Sequence, residues 1–282
     1  MLVALLNGLA FSALLLVLSL GLALIFGLRG IVNFAHGGIY MLGAYVGLTI
    51  STDVNFWAAL VVVPLIFGVV GCLADYLGLR RLADRPQTDS VLLTFGLAFV
   101  ITALVEKVWG QQGKTLDAPN ILSGSVSVLG EVYPKYRLFV AVCSLAAALA
   151  VLAWLMTTRT GLHIRAARER RSTASQLGVD VDRVSALVVG AGTALAGVAG
   201  VLAGPYLSLS PSMGVDILVM TFIVVVTGGL GSVEGAAAAA FVLGFSISLS
   251  ATYLPDMSAY VPYAAMLLIL LAKPAGLFGK AI

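Results

Sequence analysis

Residues 20–47 read LGLALIFGLRGIVNFAHGGIYMLGAYVG. Two apolar runs meet at a short polar stretch that holds Asn33 and His36, three residues apart. A polar side chain at membrane depth is costly and usually faces the protein interior. Gly30, Gly37 and Gly38 flank NFAH. Glycine permits a bend, and a discontinuous helix exposes backbone groups that need partners. Asn33, His36 and Gly37 are therefore candidates for a helix break or for the lining of a translocation path. Support of the backbone or of a neighbouring helix is the more ordinary role, and direct contact with a solute stays open. A zinc site is not expected, since the only other histidine, His163, lies in a cytoplasmic loop.

The rest of the chain fits this beginning. Of 282 residues, 60% are hydrophobic and only 10% charged, well below the roughly 25% of soluble domains. Apolar runs of membrane-spanning length recur at 3–28, 31–51, 56–79, 90–109, 137–157, 185–207, 214–233, 236–254 and 261–272. They are continuous rather than alternating, which excludes a β-barrel. The expected fold is all-α: a polytopic transmembrane bundle of about 8–10 spans, with discontinuous helices, in one domain covering 1–282. In TFIVVVTGGLGSVEG the glycines should break a helix. Met1 to Leu28 carry no basic leader, so a membrane anchor is expected there rather than a cleaved signal. Cys72 and Cys143 lack metal spacing and read as small core residues. Small residues crowd GAGTALAGVAGVLAG (190–204) and recur at Gly37, Gly43 and Gly47. Such spacing lets helix backbones approach closely where lipid offers no hydrophobic drive.

Charge gives the orientation. The loop LRRLADRPQTDS (79–90) holds Arg80, Arg81 and Arg85, and the loop 158–183 holds six arginines. Together they carry nine of the 16 basic residues. Basic residues collect on the cytoplasmic side, so these loops are inside and the mixed-charge loop 110–136 is outside. Lys273 and Lys280 place the C-terminus inside, and the odd number of spans places the N-terminus outside. Asp75 is expected to pair with Arg80 or Arg81, and Glu106 and Lys107 to snorkel to the outer surface. The net charge of +3 is no nucleic-acid signal.

Within the second basic loop, RAARERRSTASQLGVD can form a short helix closed by Gly178. A solvated loop would explain the arginines. It would not require a glycine-capped helix, which suits docking against a partner subunit.

Four stretches together resemble the branched-chain amino-acid ABC importer permease family, in its LivH-like branch. They are residues 20–47 with NFAHG, LRRLADRPQTDSVLLTFGLAFV (79–100), RTGLHIRAARERRSTASQLGVDVDRVSAL (159–187), and TGGLGSVEGA (227–236) with LAKPAGLFG (271–279). The resemblance implies a subunit forming half of a translocation path in a bacterial inner membrane. It implies a second homologous permease, two cytoplasmic ABC ATPase subunits and an extracytoplasmic solute-binding protein as partners. It also implies that Ala174, Ser175, Leu177 and Gly178 couple to the ATPase, within a cytoplasmic loop of about 158–184.

The chain departs from the family pattern at Gly38, where an acidic residue is common, and at Glu234, where proline is common. Glu234 shares a Gly-rich turn with Gly228, Gly229, Gly231, Ser232 and Gly235. It can face a vestibule, pair with a base, or lie at the membrane surface; rarity of intramembrane charge favours the surface. These departures keep urea, short amides and small aromatic acids open as alternative cargo. No GxxxxGK[ST] motif is present, so ATP hydrolysis is expected in partners and no enzyme activity or cofactor in this chain. A stand-alone channel or secondary transporter would call for intramembrane ionisable residues, and no convincing set is seen.

Overall fold

A computed structural model describes residues 1–82 and 85–279. Ala83 and Asp84 of the first basic loop, and Lys280, whose charge was used to orient the C-terminus, lie outside the described residues. Among the described residues there are eleven α-helices. In chain order they are α1 (Leu2–Arg29), α2 (Ala35–Asp53), α3 (Phe56–Leu77), α4 (Gln87–Trp109), α5 (Lys135–Thr157), α6 (Arg159–Glu169), α7 (Arg171–Gln176), α8 (Val181–Ala203), α9 (Met213–Gly228), α10 (Val233–Tyr253) and α11 (Val261–Ala272). Each of the nine apolar segments is a helix. Six of them, α1, α3, α4, α5, α8 and α10, are long and apolar enough to cross a membrane. Helices α9 and α11 are shorter, and α2 is diluted by glycine, tyrosine and His36.

Helices α1 and α8 form the centre. Their apolar stretches are 83% and 72% buried, against 11% for the peripheral α4. The glycines of α8 explain why three helices can surround it. A side chain at Gly200 would stand 2.3 Å from the Tyr40 carbonyl of α2, and one at Gly192 would stand 2.8 Å from the Gly21 carbonyl of α1. Opposite Gly71 of α3 sits Thr193, whose hydroxyl donates to the Phe67 carbonyl at 2.8 Å. Close backbone approach and interhelical hydrogen bonds replace the hydrophobic drive that lipid does not supply. The cysteines differ from expectation. Both are half-buried rather than in the core, because α3 and α5 turn much of their surface outward. The Cys72 thiol still donates to the Ala186 carbonyl of α8 at 3.3 Å.

The two ends of the bundle are distinct. At one end the loop 110–136 carries a hairpin of β1 (Ser125–Val128) and β2 (Glu131–Pro134), paired antiparallel with Val128 opposite Glu131. The hairpin was not foreseen, although SVSV, the turn Leu129–Gly130 and EVY carry the alternation that signals one. Tyr133 and Arg137 both donate to Asn7 Oδ1, at 3.0 and 2.6 Å. Burial pushes the Tyr133 phenol up to about 12, which keeps it a neutral donor. The start of α1 therefore lies at the end assigned to the outside. The other end of α1 reaches the basic loops.

Candidate functional site

Helix α1 stops where Gly30 takes a left-handed backbone, φ 65°, a conformation glycine adopts without steric cost. Residues 30–34 are irregular, and α2 begins at Ala35, four residues later than the apolar run suggests. The break therefore falls before Gly37 and Gly38, which are helical. Asn33 is buried and closes a turn at the start of the new helix, whose N-cap is Phe34: its Oδ1 accepts from the Ala35 amide at 3.1 Å. His36 is fully buried, and its Nε2 donates to the Leu18 carbonyl of α1 at 3.0 Å. Leu18 lies about 16 Å before the end of α1 at 1.5 Å per residue, so α2 begins deep within the bundle. Gly37 meets α9 there; a side chain on it would stand 2.0 Å from the Gly214 carbonyl. The first turns of α2 and α9 thus meet at mid-height. Partial positive charge gathers at helix N-termini.

The Gly-rich turn and the C-terminal stretch, 35 or more residues apart, form one unit. Helix α9 ends at Gly228, and Gly229 and Gly231 take φ 105° and 80°. Ser232 caps α10 by accepting from the Gly235 amide at 3.0 Å. The amides of Leu277 and Phe278 donate to the carbonyls of Thr227 and Gly228 at 2.9 and 3.0 Å. Gly228 and Gly235 pack backbone to backbone, and Gly231 lies on Gly27 of α1. Glu234 is exposed in the first turn of α10, where a negative charge is favourable.

At the same end the basic loop is folded. A single short helix was expected; α6 and α7 occur instead, because Arg170 takes an extended backbone between them. Gly178 ends α7 as foreseen, with φ 84°. Its amide donates to the Ser175 carbonyl and that of Val179 to Ala174, both at 3.0 Å. Ala174 is buried and anchors the turn, whereas Ser175, Leu177 and Gly178 are exposed. Leu177 is 80% exposed among polar neighbours. Arg171, Ser175, Asp180 and Asp182 line a shallow groove beside it.

Asp75 does not pair with Arg80 or Arg81. It pairs with Arg29 at 2.8 Å, with both side chains 1% exposed, and accepts from the Ser185 hydroxyl at 3.0 Å. Arg80 instead reaches Asp182 at 2.5 Å, and Arg171 approaches the same carboxylate at 3.7 Å. Asp75 sits two residues inside the end of α3, turned toward α1 and α8, whereas Arg80 lies past the end of α3. A buried carboxylate needs a partner in its own low-dielectric surroundings. This places α7, the start of α8, the end of α3 and the end of α1 in one chain of contacts. It ends one residue before Gly30. Gln87 and Thr94 hold the break from the other side, donating to the carbonyls of Gly30 and Val32 at 3.1 and 3.3 Å.

The family profile described as "Branched-chain amino acid transport system / permease component" matches residues 4–270. The chain belongs to this permease family. LivH of Escherichia coli strain K12, named a high-affinity branched-chain amino acid transport system permease protein, is 28% identical over 97% of this chain and 94% of its own. BraD of Pseudomonas aeruginosa, named likewise, is 26% identical over 98% and 95%. A probable branched-chain amino acid transport permease protein LivH of Methanocaldococcus jannaschii is 30% identical over 97% and 91%. No solved structure matches. The permease is thus a multi-pass membrane protein, and its relatives are named as transport components rather than enzymes.

Proposed function

We propose that this permease is one half of the path through a binding-protein-dependent ABC importer for branched-chain, apolar amino acids, in the cytoplasmic membrane of a bacterium. Its partners are a second homologous permease, two cytoplasmic ATPases that hydrolyse ATP, and a solute-binding protein outside. Family membership supports the machine, and the relatives' names support the cargo. The observation that carries the assignment within this chain is Leu177. It is a bare apolar side chain on a short, glycine-capped helix at the basic end, 80% exposed, and a single apolar anchor of this kind suits a pocket on a partner.

On this reading, movement of α7 by the ATPase passes through Arg171 and Asp182 to the start of α8. From there Ser185, Asp75 and Arg29 pass it to the break at 30–34. Asn33 and His36 hold the break together, and Gly37 lets α2 and α9 slide or lock against one another. The Gly-rich turn at 228–235, held by the C-terminal stretch, keeps α9 and α10 in register during that motion. Copurification of the tagged chain from native membranes in mild detergent tests the assembly. A second permease and two Walker-motif ATPases are expected in the sample; a chain recovered alone and still able to pass solute would contradict the importer.

A further inference from the structure

At the basic end, α1, α5, α6 and α10 line a narrow, partly open cleft whose inner space is only about 40 Å³, so a ligand would lie along its mouth rather than inside it. Leu24, Leu155 and Met156 contribute apolar wall, while Arg165, Arg168 and Glu234 bring charge. Arg165 donates to the Leu155 carbonyl. Arg168 and Glu234 make no ion pair among the described residues. Arg168 lies over Gly27, two residues before the end of α1. The cleft adjoins the exposed face of α5 at Met156. Met156 belongs to both, and Val142, Leu149 and Met156 follow at seven-residue steps along that face, 66%, 63% and 62% exposed.

We propose that this cleft binds a phospholipid whose headgroup carries both a phosphodiester and a primary ammonium, the phosphatidylethanolamine class. Guanidinium groups bind phosphate oxygens through charge-assisted hydrogen bonds, so Arg165 and Arg168 take the phosphodiester. An ammonium has three donors and no acceptor, which matches Glu234. A purely anionic headgroup would meet the carboxylate, and a choline headgroup has no N–H to offer it. Basic pockets between helices on the cytoplasmic side are known sites for lipid headgroups; the carboxylate here narrows the choice. A free amino acid carries the same two charges but has no acyl chain to cover Val142, Leu149 and Met156. The site is independent of the cargo assigned above.

The test uses the purified complex, stripped of lipid and exposed to bilayers with equal parts phosphatidylethanolamine, phosphatidylcholine and phosphatidylglycerol. Lipid retained after re-extraction is counted by native mass spectrometry. Phosphatidylethanolamine should be enriched several-fold over phosphatidylcholine. Glu234→Gln should shift the preference toward phosphatidylglycerol, and Arg168→Gln should lower retention of all three. Both side chains are exposed and no hydrogen bond or ion pair is lost; only a favourable charge in a terminal helix turn is removed, so thermal melting of the variants should fall only slightly. Equal retention of ethanolamine and choline lipids, enrichment unchanged in both variants, or displacement of the lipid by free leucine would each overturn the proposal.

Discussion

The imidazole of His36 lies beside the close approach of α1 and α8 at Gly21 and Gly192. A side chain at Gly21 would touch its Cε1 at 3.1 Å, and the Gly192 carbonyl at 2.7 Å. The ring donates from Nε2 to Leu18, and a buried donor or acceptor stranded without its partner costs about 1–3 kcal/mol. His36→Ala removes a packed ring together with that bond. It should lower the melting temperature of the assembled complex while leaving uptake per folded complex unchanged. A stable His36→Ala complex that had lost uptake would assign the ring to the solute path instead. Asn33 has a comparable local task, since Asn33 Oδ1 holds the first turn of α2. The Arg29–Asp75 pair illustrates the same economy at the basic end. One carboxylate joins α3 to both α1 and α8, so removing either ion would leave its partner buried and uncompensated.

Between elements, the decisive residues are those without side chains. Gly37 faces the Gly214 carbonyl with no room for a methyl group, whereas Gly96 of α4 has nothing within 4 Å. Gly37→Ala should destabilise the protein by about 1–3 kcal/mol or prevent folding. Gly96→Ala should instead stabilise α4 by roughly 0.5–1 kcal/mol, the ordinary gain from removing glycine in a helix. Thermal melting of the two variants side by side checks the contrast. Much of this level was legible in the sequence. The nine apolar segments, the breaks around Gly30 and Gly229, and the glycine cap at 178 all carry local signals. The pairing of Asp75 was not legible. Arg29 is 46 residues away and Arg80 only five, and proximity along the chain misleads when a helix turns one face to a distant neighbour. The boundary of α2 at Ala35 was equally hidden, because Ile31 and Val32 are as apolar as any helical residue.

At the scale of the whole molecule, the two ends have different work. The hairpin end is tied by Asn7, Tyr133 and Arg137 and by the paired backbones of Lys114 and Leu209. The basic end offers an exposed turn whose only large apolar side chain is Leu177. Two variants could test that turn, and they are not equivalent. Gly178→Arg would strain a left-handed backbone position and so confuse folding with docking. Leu177→Asp leaves the helix cap intact and puts a charge where an apolar contact is proposed. The most direct measurement is therefore ATP-driven uptake of labelled leucine into vesicles that carry the complete complex, with Leu177→Asp compared to the parent. The expected variant is a permease of unchanged melting temperature whose uptake and transport-coupled ATP hydrolysis are both lost. Uptake at the parent's rate with Asp at 177 would contradict it.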